Sequence, residues 1–181
     1  MPSSSMSSSI TFTVSISALL TVSFIIFPCH GISRRVVTNI CSQTQTQELC
    51  IDILEGDPFT NAADLPSLSL ISLGILQDRA DDNYNIFSQF SANTTDPALN
   101  NAFDDCVKIY QDIQDKVRAD HGLSLNRQFK DITDLGELIQ PTNTCQNGIP
   151  NSIPTADVSQ DMVLKIQIAA FVNQYVLDQS A

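Results

Sequence analysis

The amino-acid sequence predicts an all-α fold, an antiparallel up-down four-helix bundle preceded by a short N-terminal helical hairpin. Apolar residues recur every three or four positions through four long stretches, which is typical of helices with one buried face. Only a few residues connect these stretches, so neighbouring helices are expected to run antiparallel. β-branched residues nowhere alternate with polar ones over the length of a strand.

The chain begins with a predicted secretory signal. Residues 10–28 are uncharged and mostly apolar, and Cys29-His30-Gly31 places small residues at the −3 and −1 positions if cleavage follows Gly31. The preceding segment lacks the usual Lys or Arg, and a membrane anchor is the alternative, since the run could just span a bilayer. Its Ser and Thr content and Pro28 favour removal. We therefore predict a signal peptide at 1–31 and one mature domain at 32–181, secreted and without a membrane partner.

The charge balance limits the partners of the mature domain. No charged residue precedes Gly31, so the domain keeps the whole formal net charge of −11. Such acidity excludes nucleic acid and anionic lipid as expected partners, because their phosphates would repel it. A partner with a basic patch is favoured instead. The domain, about 150 residues, is long enough to bury one sizeable core.

Four cysteines remain once Cys29 leaves with the signal: Cys41, Cys50, Cys106 and Cys145. An even number in an exported chain predicts two disulfides, with three possible connectivities. A zinc site is the alternative, but no Cys-x-x-Cys spacing and no nearby histidine supports it. We therefore expect no metal and no cofactor.

The hairpin is predicted from Val36 to Cys41 and from Thr46 to Leu54. On one unbroken helix, residues nine apart would be separated by about 13 Å. A disulfide requires Cα atoms within roughly 7 Å. If Cys41 pairs with Cys50, the chain between them must fold back, and the polar run at 42–46 can supply the turn.

The first two bundle helices are the most regular. The first is expected from Ala62 to Ser91. The second is the central helix, capped by Asp96 with Pro97 in its first turn and ended by Asp120-His121-Gly122, with the glycine as a left-handed cap. The predicted inward residues are Leu65, Leu73, Leu76, Ala80, Tyr84, Phe87 and Phe90 of the first and Leu99, Phe103, Cys106, Tyr110, Ile113 and Val117 of the second. The water-facing residues of the central helix are Asp105, Lys108, Asp112, Asp115 and Lys116.

The third stretch, residues 126–147, is the least regular. Phe129, Ile132, Leu135 and Ile139 keep helical spacing, but Pro141 predicts a kink or break near Gln140. The last helix is expected from about Thr155 to Asp178. Its predicted inward residues are Val158, Met162, Ile166, Ala169, Asn173 and Val176.

No residue pattern in the chain indicates catalysis. The neighbouring carboxylates Asp81-Asp82 and Asp104-Asp105 point in different directions on a helix and do not converge. His121 is the one histidine of the mature domain, and the motifs of common hydrolases are absent from the sequence. Asn93-Thr94-Thr95 is a glycosylation sequon in a loop that we expect to be exposed.

With these features together, the mature chain resembles the plant family of invertase and pectin methylesterase inhibitors along essentially its whole length. The hairpin matches a Cys-x2-Thr-x5-Cys motif through Cys41, Thr44 and Cys50. The matching residues that follow are Leu54, Asp57-Pro58, Asp64-Leu65, Asp96-Pro97, Leu99, Cys106, Tyr110, Asp112 and Thr144-Cys145.

The resemblance implies a secreted, non-enzymatic inhibitor of the apoplast or cell wall that occupies the substrate cleft of its target in a one-to-one complex. It also implies disulfides Cys41–Cys50 in the hairpin and Cys106–Cys145 between two bundle helices. Many family members carry a fifth, unpaired cysteine in the last helix, and this chain has none. We interpret that difference as the loss of a packing thiol.

The target within the family is predicted from three residues. Pectin methylesterase inhibitors apply helix faces near the second disulfide, where Asp112, Asp115 and Thr144 match, although Lys108 stands where an acid is expected. Invertase inhibitors present Pro-Lys-Phe, and the corresponding residues here are Arg127-Gln128-Phe129. Pectin methylesterase is therefore the expected partner, with acid invertase as the alternative. A structural or storage bundle is the hypothesis from another class.

Overall fold

The computed structural model describes residues 31–150, 153 and 155–180. Its helices are α1 (Arg34–Cys41), α2 (Gln47–Gly56), α3 (Leu65–Asn93), α4 (Pro97–Leu125), α5 (Ile139–Gly148) and α6 (Ala156–Ser180). Short 3₁₀ turns at Thr60–Ala62, Phe129–Asp131 and Leu135–Leu138 lie in the connections. The predicted signal before Gly31, including Cys29, falls outside these ranges. Among the helices described, none combines the length and hydrophobicity that a membrane span needs.

Helices α3 to α6 form the bundle that the sequence predicts. α3 packs against α4 and α6, and α5 packs against the same two helices, so that the four enclose one core. The all-α fold is therefore confirmed. The helices differ in length. α3 and α4 have 29 residues each, whereas α5 has 10.

The two long helices begin at aspartate caps. The Asp64 carboxylate accepts a hydrogen bond from the Ser67 N–H at 2.8 Å, and the Asp96 carboxylate accepts one from the Ala98 N–H at 2.8 Å. Each cap satisfies backbone donors that the first helical turn leaves free. α3 therefore begins at Leu65 and not at Ala62 as expected from the sequence. Hydrogen bonding from Ser67 lowers the pKa of Asp64 below its ordinary value.

Aromatic rings fill the core between α3 and α4. The Phe87 ring lies 5.4 Å from the Tyr110 ring, centroid to centroid, and 6.5 Å from the Phe103 ring. Phe90, which the pattern also places inward, stacks on Phe103 at 5.2 Å but keeps 37% of its surface exposed. Burial raises the pKa of Tyr110. The aromatic positions of both helical stripes thus meet at one interface.

The N-terminal hairpin packs on the bundle of its own chain. A Cys41–Cys50 disulfide with Cα atoms 5.6 Å apart joins α1 to α2, and α1 contacts α6. The Thr44 hydroxyl donates to the Cys41 carbonyl at 2.8 Å within the polar turn. Val37 and Ile40 are fully or almost fully buried. The hairpin therefore adds apolar residues to the bundle core.

The predicted end of the central helix at Gly122 is wrong, because α4 continues for another turn to Leu125. The Gln128 N–H donates to the Leu123 carbonyl and the Arg127 N–H to the Ser124 carbonyl, both at 2.9 Å. This is a Schellman motif. The left-handed residue is Arg127, with φ of 59°. Ser124 is buried and donates to Ser69 of α3, which gives the additional turn its tertiary contact.

The expectation of a third helical stretch from residue 126 is also wrong in its first half. Phe129, Ile132 and Leu135 are buried, but they belong to an irregular connection containing two 3₁₀ turns. Helix α5 begins at Ile139, so Pro141 falls in its first turn, where its missing N–H removes no intrahelical bond. The change from 3₁₀ to α geometry lies just before Ile139, next to Gln140, and Cys145 lies on the shorter helix that follows, as the proline predicts.

Candidate functional site

A surface groove lies between α4 and α5. The Cys106–Cys145 disulfide joins these helices with Cα atoms 4.8 Å apart, and both cysteines are buried. The pairing is the one that the family resemblance implies. The groove has a volume of about 340 Å³. It is lined by Ala102, Asp105 and Ile109 from α4 and by Thr144, Cys145 and Gly148 from α5.

Thr144 is the exposed hydroxyl of this groove. Its Oγ1 donates to the Gln140 carbonyl at 2.9 Å and accepts from the Gln140 side-chain amide at 3.3 Å. Both bonds stay within α5, so the helix itself positions the threonine. The structure therefore places Thr144 beside the disulfide with Asp105 and Ile109 opposite, as a mixed polar and apolar surface.

The two predicted aspartates occupy different parts of α4. Asp112 follows Asp105 by seven residues, or about two turns, and so lies on the same side of the helix. It is exposed and forms no ion pair with a described residue. Asp115 is paired with Arg118 at 2.9 Å. Arg118 also lines a second groove with residues of α3, so this ion pair lies toward α3.

Positive charges interrupt the acidic side of α4. Lys108 Nζ lies 3.0 Å from Asp105 Oδ1, and both side chains are more than two-thirds exposed. Between residues 105 and 118 the exposed charged residues are three acids (Asp105, Asp112, Asp115) and three bases (Lys108, Lys116, Arg118). The face is locally balanced, although the whole chain carries −11. Long-range attraction to a basic partner therefore comes from the whole molecule.

Arg127-Gln128-Phe129, the segment that corresponds to the invertase-inhibitor tripeptide, follows the end of α4. Arg127 and Gln128 are exposed, whereas only 8% of the Phe129 surface is exposed and its side chain belongs to the core. The one residue type shared with that tripeptide is thus turned inward. Arg127 also lies near the start of α3, where its charge contributes to the lowered pKa of Asp64.

The other candidate residues have structural surroundings. Asn93 is the exposed last residue of α3, and its side-chain amide donates to the Gln89 carbonyl at 2.7 Å. Asp81 accepts from Gln77 and Gln114 at 2.7 and 2.8 Å, which ties α3 to α4. In the part of the chain that the structure describes, no cluster of three or more His, Cys, Asp or Glu side chains could hold a metal ion.

Comparison with known proteins gives the family. The family model described as "Plant invertase/pectin methylesterase inhibitor" matches residues 35–175, most of the chain. The chain belongs to this family. The description names inhibitors of two enzymes, invertase and pectin methylesterase, so family membership establishes a relation to enzyme inhibitors without choosing the enzyme.

The family relatives come from both branches. A pectinesterase inhibitor of Actinidia deliciosa is 27% identical over 147 residues, which is 76% of each chain. The "Cell wall / vacuolar inhibitor of fructosidase 1" of Arabidopsis thaliana is 24% identical over 153 residues, 81% of this chain and 72% of that protein. The crystal structure of a mutant pectin methylesterase inhibitor from Arabidopsis superposes with a TM-score of 0.68 at 17% identity, covering 76% of this chain and 95% of that one. This structural likeness supports the fold.

Sequence reasoning missed part of the groove. Asp105 and Lys108 were recognised as water-facing, but nothing in their spacing shows which of them borders α5. The sequence pattern does not mark Ala102, Ile109 or Gly148, which also line the groove. The available signal was the disulfide, since residues three or four positions from Cys106 and Cys145 on the outward side must flank the bridge.

Proposed function

We propose that this protein is a secreted, non-enzymatic inhibitor of a cell-wall pectin methylesterase, which it blocks by placing the α4–α5 face over the substrate cleft. The observation that carries the proposal is the groove beside Cys106–Cys145. There Thr144, Asp105 and Ile109 form an exposed surface on two helices that a disulfide joins. Because the surface needs little ordering on binding, it can occlude a cleft at low entropic cost.

Two of its features favour this face as the contact. Asp112 and Thr144 are exposed and lie on the two helices that border the groove. Ile109 and Ala102 contribute apolar surface, which a protein interface needs at its centre. We place Asp115 outside this contact, because its partner Arg118 lines a separate groove with residues of α3. The partner would be bound one to one.

Acid invertase is the second candidate, favoured by the relative named as an inhibitor of fructosidase. Binding through the Arg127-Gln128-Phe129 segment is disfavoured, because Phe129 is buried and could reach a partner only by leaving the core. Removing a buried phenylalanine from the core costs on the order of 3 kcal/mol. This observation supports pectin methylesterase over invertase.

Enzyme inhibition distinguishes the two targets. The purified protein is mixed with several pectin methylesterase isoforms over a range of pH, and methanol release is followed. The same titration is made with an acid invertase, using sucrose hydrolysis. We expect saturable inhibition of at least one methylesterase at one equivalent of protein. Absence of inhibition in every methylesterase titration would reject the proposal, and bulk accumulation without any complex would favour a storage role.

Two matched variants locate the contact. Thr144→Arg adds a long cation to the groove, and Gln128→Arg adds the same charge to the segment after α4. Both positions are exposed, so both variants should fold. We expect Thr144→Arg to weaken methylesterase inhibition at least tenfold, the usual scale for a central contact. Gln128→Arg should inhibit normally. The opposite pattern would indicate contact through the segment after α4.

Secretion leaves two chemical marks. Cleavage after Gly31 would give a mature chain that begins at Ile32, whose N–H donates to the Ala63 carbonyl at 2.8 Å. A glycan on Asn93 would extend from the exposed end of α3. Intact-mass measurement before and after enzymatic deglycosylation, on protein secreted from plant cells, tests both. A chain retaining residues 1–31 would contradict the processing, and an unchanged mass would contradict the glycan.

A further inference from the structure

We infer that Lys108 sets the specificity of the α4–α5 groove by weakening its attraction for cationic partner surfaces. The inference rests on the proposed function, since it takes the groove as the contact with the target enzyme. It concerns a residue that opposes binding. Targets that present fewer cations to the groove would be affected less, so Lys108 would select among isoforms.

The position of Lys108 supports this role. It lies three residues after Asp105 and four residues before Asp112, the two carboxylates on the groove side of α4. Residues at these spacings are neighbours on a helix surface. The ammonium contacts Asp105 at 3.0 Å, and Asp105 itself lines the groove. One positive charge therefore screens the acidic side of the groove where a partner cation would approach.

Folding does not require this lysine. An ion pair between side chains that are 73% and 71% exposed contributes little to stability in water. The same charge at the rim of an interface changes the association rate and its salt dependence. Removing Lys108 should therefore change the binding of the partner and leave the stability of the fold almost unchanged.

Arg118 provides a matched control. It pairs with Asp115 at the same spacing, at 2.9 Å, with side chains 64% and 65% exposed. It lies on the other side of α4, in a groove shared with Gly74, Gln77 and Asp78 of α3. Lys108→Met and Arg118→Met thus make the same change in net charge and break equivalent ion pairs, but only the first removes a charge beside the α4–α5 groove.

The experiment measures inhibition of the methylesterase by the unmodified protein and both variants at low and high ionic strength. Lys108→Met should inhibit about threefold more tightly at low ionic strength, which is the scale of one screened charge several ångströms from another. The gain should shrink as salt rises. Arg118→Met should match the unmodified protein. Lys108→Glu, which reverses the charge, should gain about tenfold.

Three results would overturn the inference. Weaker or unchanged inhibition by both Lys108 variants would show that the lysine is a favourable or irrelevant contact, while leaving the proposed function intact. An equal gain in Arg118→Met would assign the effect to net charge. Failure of the unmodified protein to inhibit any methylesterase would reject the proposed function and this inference together. Equal melting temperatures of the four proteins would exclude a folding defect as the cause.

Discussion

Removal of the Cys106–Cys145 disulfide should destabilise the protein more than removal of Cys41–Cys50. The first bridge joins residues 39 apart and the second joins residues 9 apart. On chain-entropy arguments these loops contribute about 4 and about 2.7 kcal/mol to the free energy of unfolding. All four cysteines are at least 97% buried, so replacing each pair by alanine removes similar buried surface. The difference therefore reports loop closure.

Unfolding by heat and by urea, followed by far-UV circular dichroism without reductant, measures both losses. The melting temperature should fall by about 8 to 16 °C in the Cys106→Ala/Cys145→Ala protein and by about 5 to 11 °C in the Cys41→Ala/Cys50→Ala protein. An equal loss, or a larger loss from the hairpin pair, would refute the loop-closure argument. Peptide mapping of the unmodified protein under non-reducing conditions should show the same two cysteine pairs.

The bundle disulfide should also matter for inhibition. α5 has 10 residues, too few for a stable helix on its own in water. Loss of its covalent link to α4 should loosen Thr144 relative to Asp105 and weaken inhibition at temperatures well below melting. The hairpin variant should inhibit normally at the same temperature, because the hairpin packs on α6 and not on the groove. Equal inhibition by both variants would show that the disulfide does not position the contact face.

Three further substitutions test individual parts of the fold by urea unfolding. Asp64→Ala should lower the free energy of unfolding by about 1 kcal/mol through loss of the α3 cap. Because hydrogen bonding lowers the pKa of Asp64 below 3.8, the cap contributes above that pH and its contribution is lost as the pH falls through the folded-state pKa. The stabilities of the two proteins should therefore converge in acid, and a difference that stays constant with pH would be inconsistent with the cap. Thr133→Val should lower the free energy of unfolding by about 1.5 to 3 kcal/mol, since the Thr133 hydroxyl donates at 2.6 Å to the fully buried Asp120. An unchanged stability would mean that this hydrogen bond is not formed. Arg127→Gly should raise the free energy of unfolding by about 0.5 to 1 kcal/mol, because glycine adopts a φ of 59° without strain. A lower free energy of unfolding would show that the arginine side chain contributes more to stability than the backbone strain costs.

Much of the fold was predictable because its signals are local. The apolar stripe of α4 and its Asp96 cap follow from residue spacing and side-chain chemistry alone. The polar turn between Cys41 and Cys50 indicated the hairpin, which lies where the spacing places it. These elements require no knowledge of what packs against them.

Two of the wrong predictions depend on contacts between distant segments. Gly122 is a strong stop signal in sequence, but Asp120 and Ser124 on either side of it are buried against Thr133 and Ser69. These contacts extend α4 past the glycine. Similarly, Phe129 and Leu135 have helical spacing because they fill two separate positions in the core, not because a helix carries them. No local sequence pattern shows that a helix continues past its glycine, or that buried residues with helical spacing lie outside a helix.

The candidate site was predictable only in part. Thr144 was correctly expected to lie near the second disulfide. That Asp115 pairs with Arg118 toward α3, whereas Asp105 borders the groove, depends on how α4 is rotated between its neighbours. This rotation is set by the packing of the whole bundle.

The most direct test of the proposed contact is hydrogen–deuterium exchange of the protein, free and in complex with the methylesterase. The side of α4 from residue 102 to 116 and helix α5 should gain protection in the complex, with little change in α1, α2 and residues 126–129. Protection confined to the hairpin or to the segment after α4 would show that the enzyme is bound by a different surface.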